Sequence, residues 1–314
     1  MNVNMKLYKE NLYENLLLNP PDEAKHLFLL SGYATSAMLD LHLNDLSNIS
    51  IHMIIGMVSK DGISKVDHIK FNDLMLNHKD RVECLYNIRG NPAHSKCYIW
   101  CDEKKKPLVA YMGSANYTQK AFISNEQNEL MCEFSASELW KYFNLFYESK
   151  DVYFCNHPAV DGFVKDTYYK SNLDIQNNPN DDSVTLSLLT SKGEVGTTSG
   201  INWGQRDGRD KNQAYIPIRS EIQKSNFFPD RKIQFTVLTD DGQSMILVRA
   251  QDNGKALHSN PSNSILGEYI RKRIGVNDKA FVTKEDFEKY GRSDITFTKI
   301  DDETYYMDFS VKKY

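Results

Sequence analysis

The sequence is short of cysteine, of long apolar runs and of any surplus of positive charge, and each shortage removes a class of protein. Its five cysteines, Cys84, Cys97, Cys101, Cys132 and Cys155, are odd in number and nowhere form a C-x-x-C pair. That argues against a disulfide framework and a thiolate zinc site, and reduced, mostly buried thiols are expected. No stretch reaches the ~18 apolar residues that a membrane span needs, so no membrane partner is expected. The opening segment lacks the unbroken apolar centre of a secretory signal, because Lys6, Lys9, Glu10 and Glu14 interrupt it. The expected location is the cytoplasm. A formal net charge of −4 counts against a protein that coats nucleic acid indiscriminately, since that mode depends on phosphate neutralisation. It leaves room for an enzyme that confines its basic groups to one cleft.

What is present has the balance of an ordinary globular protein, 40% hydrophobic and 25% charged, which is neither disordered nor membrane-embedded. A chain of 314 residues is long enough for two domains, each with its own core. The run from His26 to Ala34 reads as a buried strand, and the segment to Leu46 carries apolar residues at helical spacing. A second strand, Ile51 to Met57, leads through Asp61-Gly62 into a helix around Val66 to Asn77. This alternation continues to about Tyr147 and predicts an α/β domain, a mixed sheet with flanking helices, over residues 1–172. The polar stretch that follows places a linker at 173–183.

Beyond it the pattern changes to strands. Val184, Leu186 and Leu188 alternate, and Ile233, Phe235 and Val237 form a hairpin with Met245 to Val248 across Asp240-Asp241-Gly242. Two short helices follow, one from Ser264 with Gly275 as its stop and one from Thr283 to Gly291. A last hairpin joins Ile295–Lys299 to Tyr305–Val311. Residues 184–314 are therefore expected to form a small β-rich, barrel-like domain with two short helices.

The chemistry concentrates in His94-Ser-Lys96, Gly113-Ser-Ala-Asn116 and Glu129. If His94 opens a strand running to Trp100, His94 and Lys96 share a face. A tight turn at Gly113 and Ser114, after a returning strand Leu108–Met112, then brings Asn116 alongside. Neutral imidazole is a nucleophile near pH 7, Lys and Asn hold phosphoryl oxygens, and a carboxylate orients the ring. H-x-K alone means little, and the chain carries its own control in His68-Ile69-Lys70, a surface helix segment with no G-S-x-N behind it. The candidate catalytic set is His94, Lys96, Ser114, Asn116 and Glu129, with no metal or cofactor. Glu126, three residues before Glu129, is the alternative carboxylate, but Glu129 opens the apolar strand Leu130–Phe134.

The stretch from His94 to Glu129 resembles the signature of the phospholipase D superfamily, whose members attack a phosphodiester with histidine and pass through a covalent phosphohistidine. The resemblance implies that a chain with a single motif copy builds one active site across a homodimer. One His94 would be the nucleophile and the partner's His94 the acid, Lys96 and Asn116 would clamp the phosphate, and Glu129 would hold the imidazole through its second nitrogen. The sequence departs from the family in having Cys101 where Asp is common, with Asp102 one place later.

Two polar arms stand out in the C-terminal half. Ser199 to Pro217 holds Asn202, Trp203, Gln205, Arg206, Arg209, Asn212 and Gln213, and Arg249 to His258 holds Arg249, Asp252, Asn253 and Lys255. Arg, Asn and Gln make bidentate contacts to base edges, although polar surface loops are common. Gly-Ile-Asn-Trp-Gly-Gln-Arg, Asn-Gln-Ala-Tyr-Ile-Pro and Arg-Ala-Gln-Asp-Asn-Gly-Lys-Ala also make the whole chain similar to restriction endonucleases of the BfiI and NgoFVII type. These join a phospholipase D-type nuclease domain to a pseudobarrel recognition domain akin to the plant B-three domain. The resemblance implies a metal-independent, sequence-specific endonuclease acting on double-stranded DNA, with a cognate DNA methyltransferase as a partner in the same system. Competing readings are a lipid or small-phosphodiester hydrolase and a DNA-binding regulator with a vestigial nuclease centre. One motif copy and no amphipathic membrane segment count against the first, and the intact His94, Lys96 and Asn116 count against the second.

Overall fold

The computed structural model describes residues 6–124, 127–165, 183–231 and 233–311. Glu126 and most of the expected linker, 173–182, lie outside the described residues. The chain divides into two compact units, Met1–Asp166 and Thr167–Tyr314, each with its own core.

In the first unit eight strands form one mixed sheet. They are β1 (Leu7–Tyr8), β2 (His26–Ser31), β3 (Ser50–Ile55), β4 (Val82–Asn87), β5 (Cys97–Cys101), β6 (Pro107–Gly113), β7 (Met131–Phe134) and β8 (Val152–Phe154). Their order is β1-β7-β6-β5-β2-β3-β4-β8. Strands β2, β3 and β4 run parallel, and the other pairs are antiparallel. Parallel neighbours need crossovers, which α1 (Ser36–Asp45) and α2 (Lys65–Asn77) supply. Alternation along β2 sends Leu27 and Leu29 into the core under α1 and α2. Phe28 and Leu30 enter a second core under α3 (Ala136–Tyr147). Covered on both faces, β2 reads as a continuous apolar run rather than an alternating one.

The strand expected to start at His94 begins instead at Cys97. Cys97 is the first residue of β5, with ladder partners on both sides, Leu30 and Met112. Residues 92–96 lie outside the ladder as a loop, tied by Ala93 N–H to Gly56 O at 2.9 Å and by Gly113 N–H to Lys96 O at 3.3 Å. All five cysteines are free thiols, with Cys132 alone partly exposed. Among the described residues no helix is long and apolar enough to cross a membrane.

In the second unit seven strands form one sheet. They are β9 (Ser183–Ser187), β10 (Ile216–Pro217), β11 (Gln234–Thr239), β12 (Ser244–Ala250), β13 (Ala256–Asn260), β14 (Asp294–Lys299) and β15 (Thr304–Asp308). The order is β9-β14-β15-β11-β12-β13-β10, and β9 and β10 come back together to nearly close a barrel. Phe235, Val237, Leu247, Leu257, Phe297 and Tyr305 fill it, with Leu266 and Ile270 of α4 (Ser264–Ile274). Gly275 ends α4 in the left-handed region at φ 74°, as a C-terminal glycine should. Thr283 and Asp286 form a capping box on α5 (Lys284–Tyr290). The last strand ends at Asp308 rather than Val311, because the Phe309 N–H turns away to Asp240 Oδ1 at 2.9 Å.

Near the N-terminal ends of β2, β3 and β4, three titratable residues stand side by side on one face. His26 Nδ1 lies 3.0 Å from His52 Nε2, and His52 Nδ1 lies 2.6 Å from Glu83 Oε2, which also accepts from the Tyr147 hydroxyl at 2.7 Å. The His52 hydrogen bond, with help from Tyr147, holds the Glu83 carboxyl down at about 2 against the opposing effect of burial. A depressed carboxyl contributes stability that is complete above its unfolded value near 4.5 and is lost as pH falls through about 2. Glu83→Gln is therefore expected to cost ~1–3 kcal/mol at neutral pH and to flatten the decline in stability between those two values. Urea denaturation followed at several pH values measures both, and an unchanged slope would remove Glu83 from the acid response.

Candidate active site and recognition arms

Three loops meet where β2 and β3 end. The first, 88–96, is laced to the end of β3. Ala93 N–H donates to Gly56 O at 2.9 Å, and the Asn87 amide bridges Gly56 O at 3.3 Å and Asn91 O at 3.0 Å. From this loop His94 projects into solvent while Lys96 is buried, 7% exposed. Lys96 Nζ donates to His94 O at 2.7 Å and stands 3.0 Å from His94 Nε2. Burial pulls the Lys96 ammonium below its ordinary value, and the Glu129 carboxylate acts the other way.

The second loop begins at Gly113. A side chain there would put Cβ 2.1 Å from Leu130 O, so only glycine lets β7 come this close. Ser114 N–H donates to Leu130 O at 3.0 Å, and Leu130 N–H donates to Ser114 Oγ at 3.0 Å. The Ser114 hydroxyl donates in turn to the Glu129 carboxylate. Tyr98 O–H bonds Ala115 O at 2.8 Å, and Asn116 follows.

The third loop, Gly32–Ala34, crosses above the other two. Asn116 Oδ1 accepts from Tyr33 N–H at 3.1 Å and from Ser31 Oγ at 3.5 Å. A Cβ on Gly32 would lie 2.9 Å from His94 Cδ2 and 3.4 Å from Asn116 Oδ1, so the imidazole and the amide flank this one glycine. The structure thus brings His94, Lys96 and Asn116 together, with Ser114 behind them. It does not bring Glu129 onto the imidazole. That carboxylate is taken by Ser114, the donor its own strand start places beside it, and it acts on Lys96 only through its charge. Sequence reasoning missed Ser31, Tyr33 and Asp61. The only signal was Ser-Gly-Tyr at the end of an apolar strand.

Beside this site lies an apolar stripe. Register sets Leu7, Cys132 and Met112 in one row across β1, β7 and β6, and Ala110 opposite Phe134. Leu130 and Phe134 share the Cys132 face by alternation. Leu7, Met112, Leu130 and Phe134 are 59%, 38%, 51% and 42% exposed.

The arms of the second unit are not plain loops, since Gly200–Gln205 and Asp252–Gly254 form 3-10 turns. Three expected base readers point inward. Asn202 is fully buried, its amide donating to Val282 O at 2.7 Å and Gly196 O at 3.1 Å and accepting from Val282 N–H at 2.9 Å. Asn212 is spent on Glu268, Asp278 and the Lys279 N–H. Arg249 donates to the carbonyls of Gly254, Phe228, Pro229 and Gln223. Buried polar groups must find partners at home, and these three have, so they build the arms rather than face outward.

The other candidates remain at the surface. Arg206, Arg209, Asp252, Asn253 and Lys255 are exposed, and Trp203, Gln205 and Gln213 are half-buried. Gln205 donates to Lys211 O and Lys279 O, and Arg206 donates to Thr198 O at 2.8 Å. Arg209 lies 4.0 Å above the Trp203 ring and donates to Gln213 Oε1 at 3.0 Å. Behind them Arg271, 1% exposed, was not foreseen as an arm residue. Its guanidinium donates to the carbonyls of Ile201, Asn212, Gly267 and Ala280.

Residues 10–162 match the family model described as the NgoFVII restriction endonuclease N-terminal PLD domain. Residues 176–301 match the NgoFVII C-terminal B3-like DNA-binding domain. The chain belongs to the NgoFVII family of restriction endonucleases. No curated protein matches it. Among solved structures it is similar to NucT from Helicobacter pylori, with 14% identity, coverage of 46% of this chain and 96% of that one, and a TM-score of 0.32.

Within this NgoFVII-family chain, the loop site at the end of the eight-stranded sheet falls in the nuclease domain, and both arms fall in the DNA-binding domain. The inward-facing arm residues make a prediction of their own. Asn212→Ala leaves Asp278 and the Lys279 N–H without their partner and is expected to cost ~1–3 kcal/mol of stability, lowering the thermal midpoint. An unchanged midpoint with weakened DNA binding would return Asn212 to the list of base readers.

Proposed function

We propose that the chain is a sequence-specific type II restriction endonuclease that cuts double-stranded DNA without a metal ion, through a covalent phosphohistidine, at an active site shared by two copies of the chain. The observation that carries the reading is the pairing of Lys96 Nζ with His94 Nε2 at 3.0 Å beside the Asn116 amide. An ammonium only donates, so it occupies the Nε2 lone pair and leaves the imidazole proton on Nδ1. A phosphate oxygen that takes up the ammonium frees that lone pair for attack. Because the Asn116 oxygen faces the Tyr33 N–H, its NH2 group is the one left to bind a phosphoryl oxygen.

In the first step the Nε2–P bond forms, the P–O bond to the leaving strand breaks, and the partner's His94, entering as the imidazolium, gives its Nε2 proton to the departing oxygen and becomes neutral. In the second, that imidazole takes a proton from water while the water oxygen displaces Nε2 from phosphorus. The reaction needs two imidazoles, and the chain has one H-x-K and G-S-x-N set, hence the homodimer. The exposed stripe of Leu7, Met112, Leu130 and Phe134 supports it, since contiguous exposed apolar surface favours association. A nuclease that cuts specific sites also calls for a cognate DNA methyltransferase to protect the host's own sites.

In the recognition arms, Arg209 is the best-prepared reader. Stacked on Trp203 and tethered by Gln213, its guanidinium has little freedom left to lose on binding. Its free N–H groups suit the O6 and N7 of guanine.

Two experiments test the proposal. Digestion of a sequenced plasmid in excess EDTA is expected to give discrete, mappable ends, and His94→Ala is expected to lower the rate by ~10⁴-fold or more, as for loss of a nucleophile. Arrest by chelation overturns metal independence, and a smear overturns sequence specificity. For the arm, Arg209→Ala is expected to weaken binding at the cognate site by ~1–3 kcal/mol more than at random DNA. Equal losses on both would assign Arg209 to a phosphate.

A further inference from the structure

We infer that Tyr33 is a positioning residue for the nuclease reaction, a fixed aromatic wall that holds the His94 imidazole in its attacking orientation. The inference rests on the proposed function, and it starts from a gap in the site. The imidazole projects into solvent, and the carboxylate expected to steady it is bound to Ser114 instead. Among the described residues its hydrogen-bond partner is Lys96, and that partner must let go of Nε2 when phosphate arrives. Something else has to keep the ring from turning.

Tyr33 is placed to do this. Its ring centroid lies 5.8 Å from that of His94 with the planes at 75°, the edge-to-face arrangement that aromatic pairs prefer. Though 40% exposed, it is not a loose surface tyrosine, because it is anchored at both ends. The hydroxyl donates to Asp61 Oδ2 at 2.6 Å. The backbone carbonyl accepts from Ser31 Oγ at 2.6 Å, and the N–H donates to Asn116 Oδ1 at 3.1 Å. Gly32 presses the same loop against the imidazole, leaving no room for a Cβ beside Cδ2. One residue therefore sets two groups at once: its ring confines the nucleophile, and its N–H turns the Asn116 amide.

The test separates orientation from binding. Single-turnover cleavage and equilibrium DNA binding are measured for Tyr33→Leu, Tyr33→Phe and Asp61→Ala in the full-length chain. Tyr33→Leu is expected to lose ~10²-fold in the cleavage rate, the usual consequence of a small misplacement, with DNA affinity unchanged. Tyr33→Phe keeps the ring and is expected to recover most of that loss, and Asp61→Ala to resemble it. Long-range ¹H–¹⁵N spectra of the His94 ring give a readout free of activity: one narrow set of signals in the unmodified chain and in Tyr33→Phe, broadened or doubled in Tyr33→Leu. Full cleavage by Tyr33→Leu, a loss confined to affinity, or Tyr33→Phe no better than Tyr33→Leu would each overturn the inference. If the unmodified chain cuts no DNA, the nuclease reading fails, and the ring spectra still decide whether Tyr33 holds His94. Should Tyr33→Leu not fold, as judged by thermal denaturation, the Tyr33→Phe and Asp61→Ala rates decide: a fall of ~10²-fold in either overturns the primacy of the ring.

Discussion

The close approach of the Gly113 backbone to the carbonyl of Leu130 is the constraint on which the end of the sheet depends. With no side chain between them, β6 stays paired through its last residue, Gly113, with Met131, the first of β7. Ser114 then exchanges bonds with Leu130 and captures Glu129. That fixes where the chain leaves the sheet, and hence where Asn116 arrives. Asn116 in turn binds the loop above β2, so strands remote in sequence are locked around one exposed imidazole.

The chain contains other histidines in ordered polar surroundings, and the comparison shows what sets His94 apart. His42 is wholly buried between the Tyr117 hydroxyl and Leu17 O, and burial brings it down to about 4. His52 is sandwiched between Glu83 and His26, with Phe28 stacked on it at 4.2 Å. Both have each ring nitrogen engaged by a partner that cannot leave. At His94 the partner is the Lys96 ammonium, which in the proposed reaction an arriving phosphate attracts away. On the proposed reading, availability of the lone pair, rather than the presence of an imidazole, separates chemistry from scaffolding.

Much of this was legible in the residues. The apolar run from His26 marked a strand covered on both faces, and Gly275 and Gly291 marked helix ends. The spacing of H-x-K and G-S-x-N pointed to groups that do meet. What was not legible depends on neighbours that no local pattern encodes. Where β5 begins is decided by its ladder partners in β2 and β6. Whether Glu129 reaches His94 is decided by a competing hydroxyl one strand away. In the arms, composition could not say which amides face in: Asn202 and Asn212 sit among exposed residues of the same polar type, and only the carbonyls and carboxylates behind them distinguish the two sets.

Arg271 shows what that division means for the recognition domain. A guanidinium taken out of water is tolerated because four backbone carbonyls surround it, and Asp278, Asp210 and Glu268 oppose the downward pull of burial on its proton. Two of those carbonyls, of Ile201 and Asn212, belong to the first arm, so the path of the arm is set by its main chain and by a residue outside it. Arg206 and Arg209, exposed on the same arm, take no part in this buried set of contacts. If the arms read bases as proposed, a lineage that must keep changing the DNA word it recognises would find that buried frame already suited to new spellings.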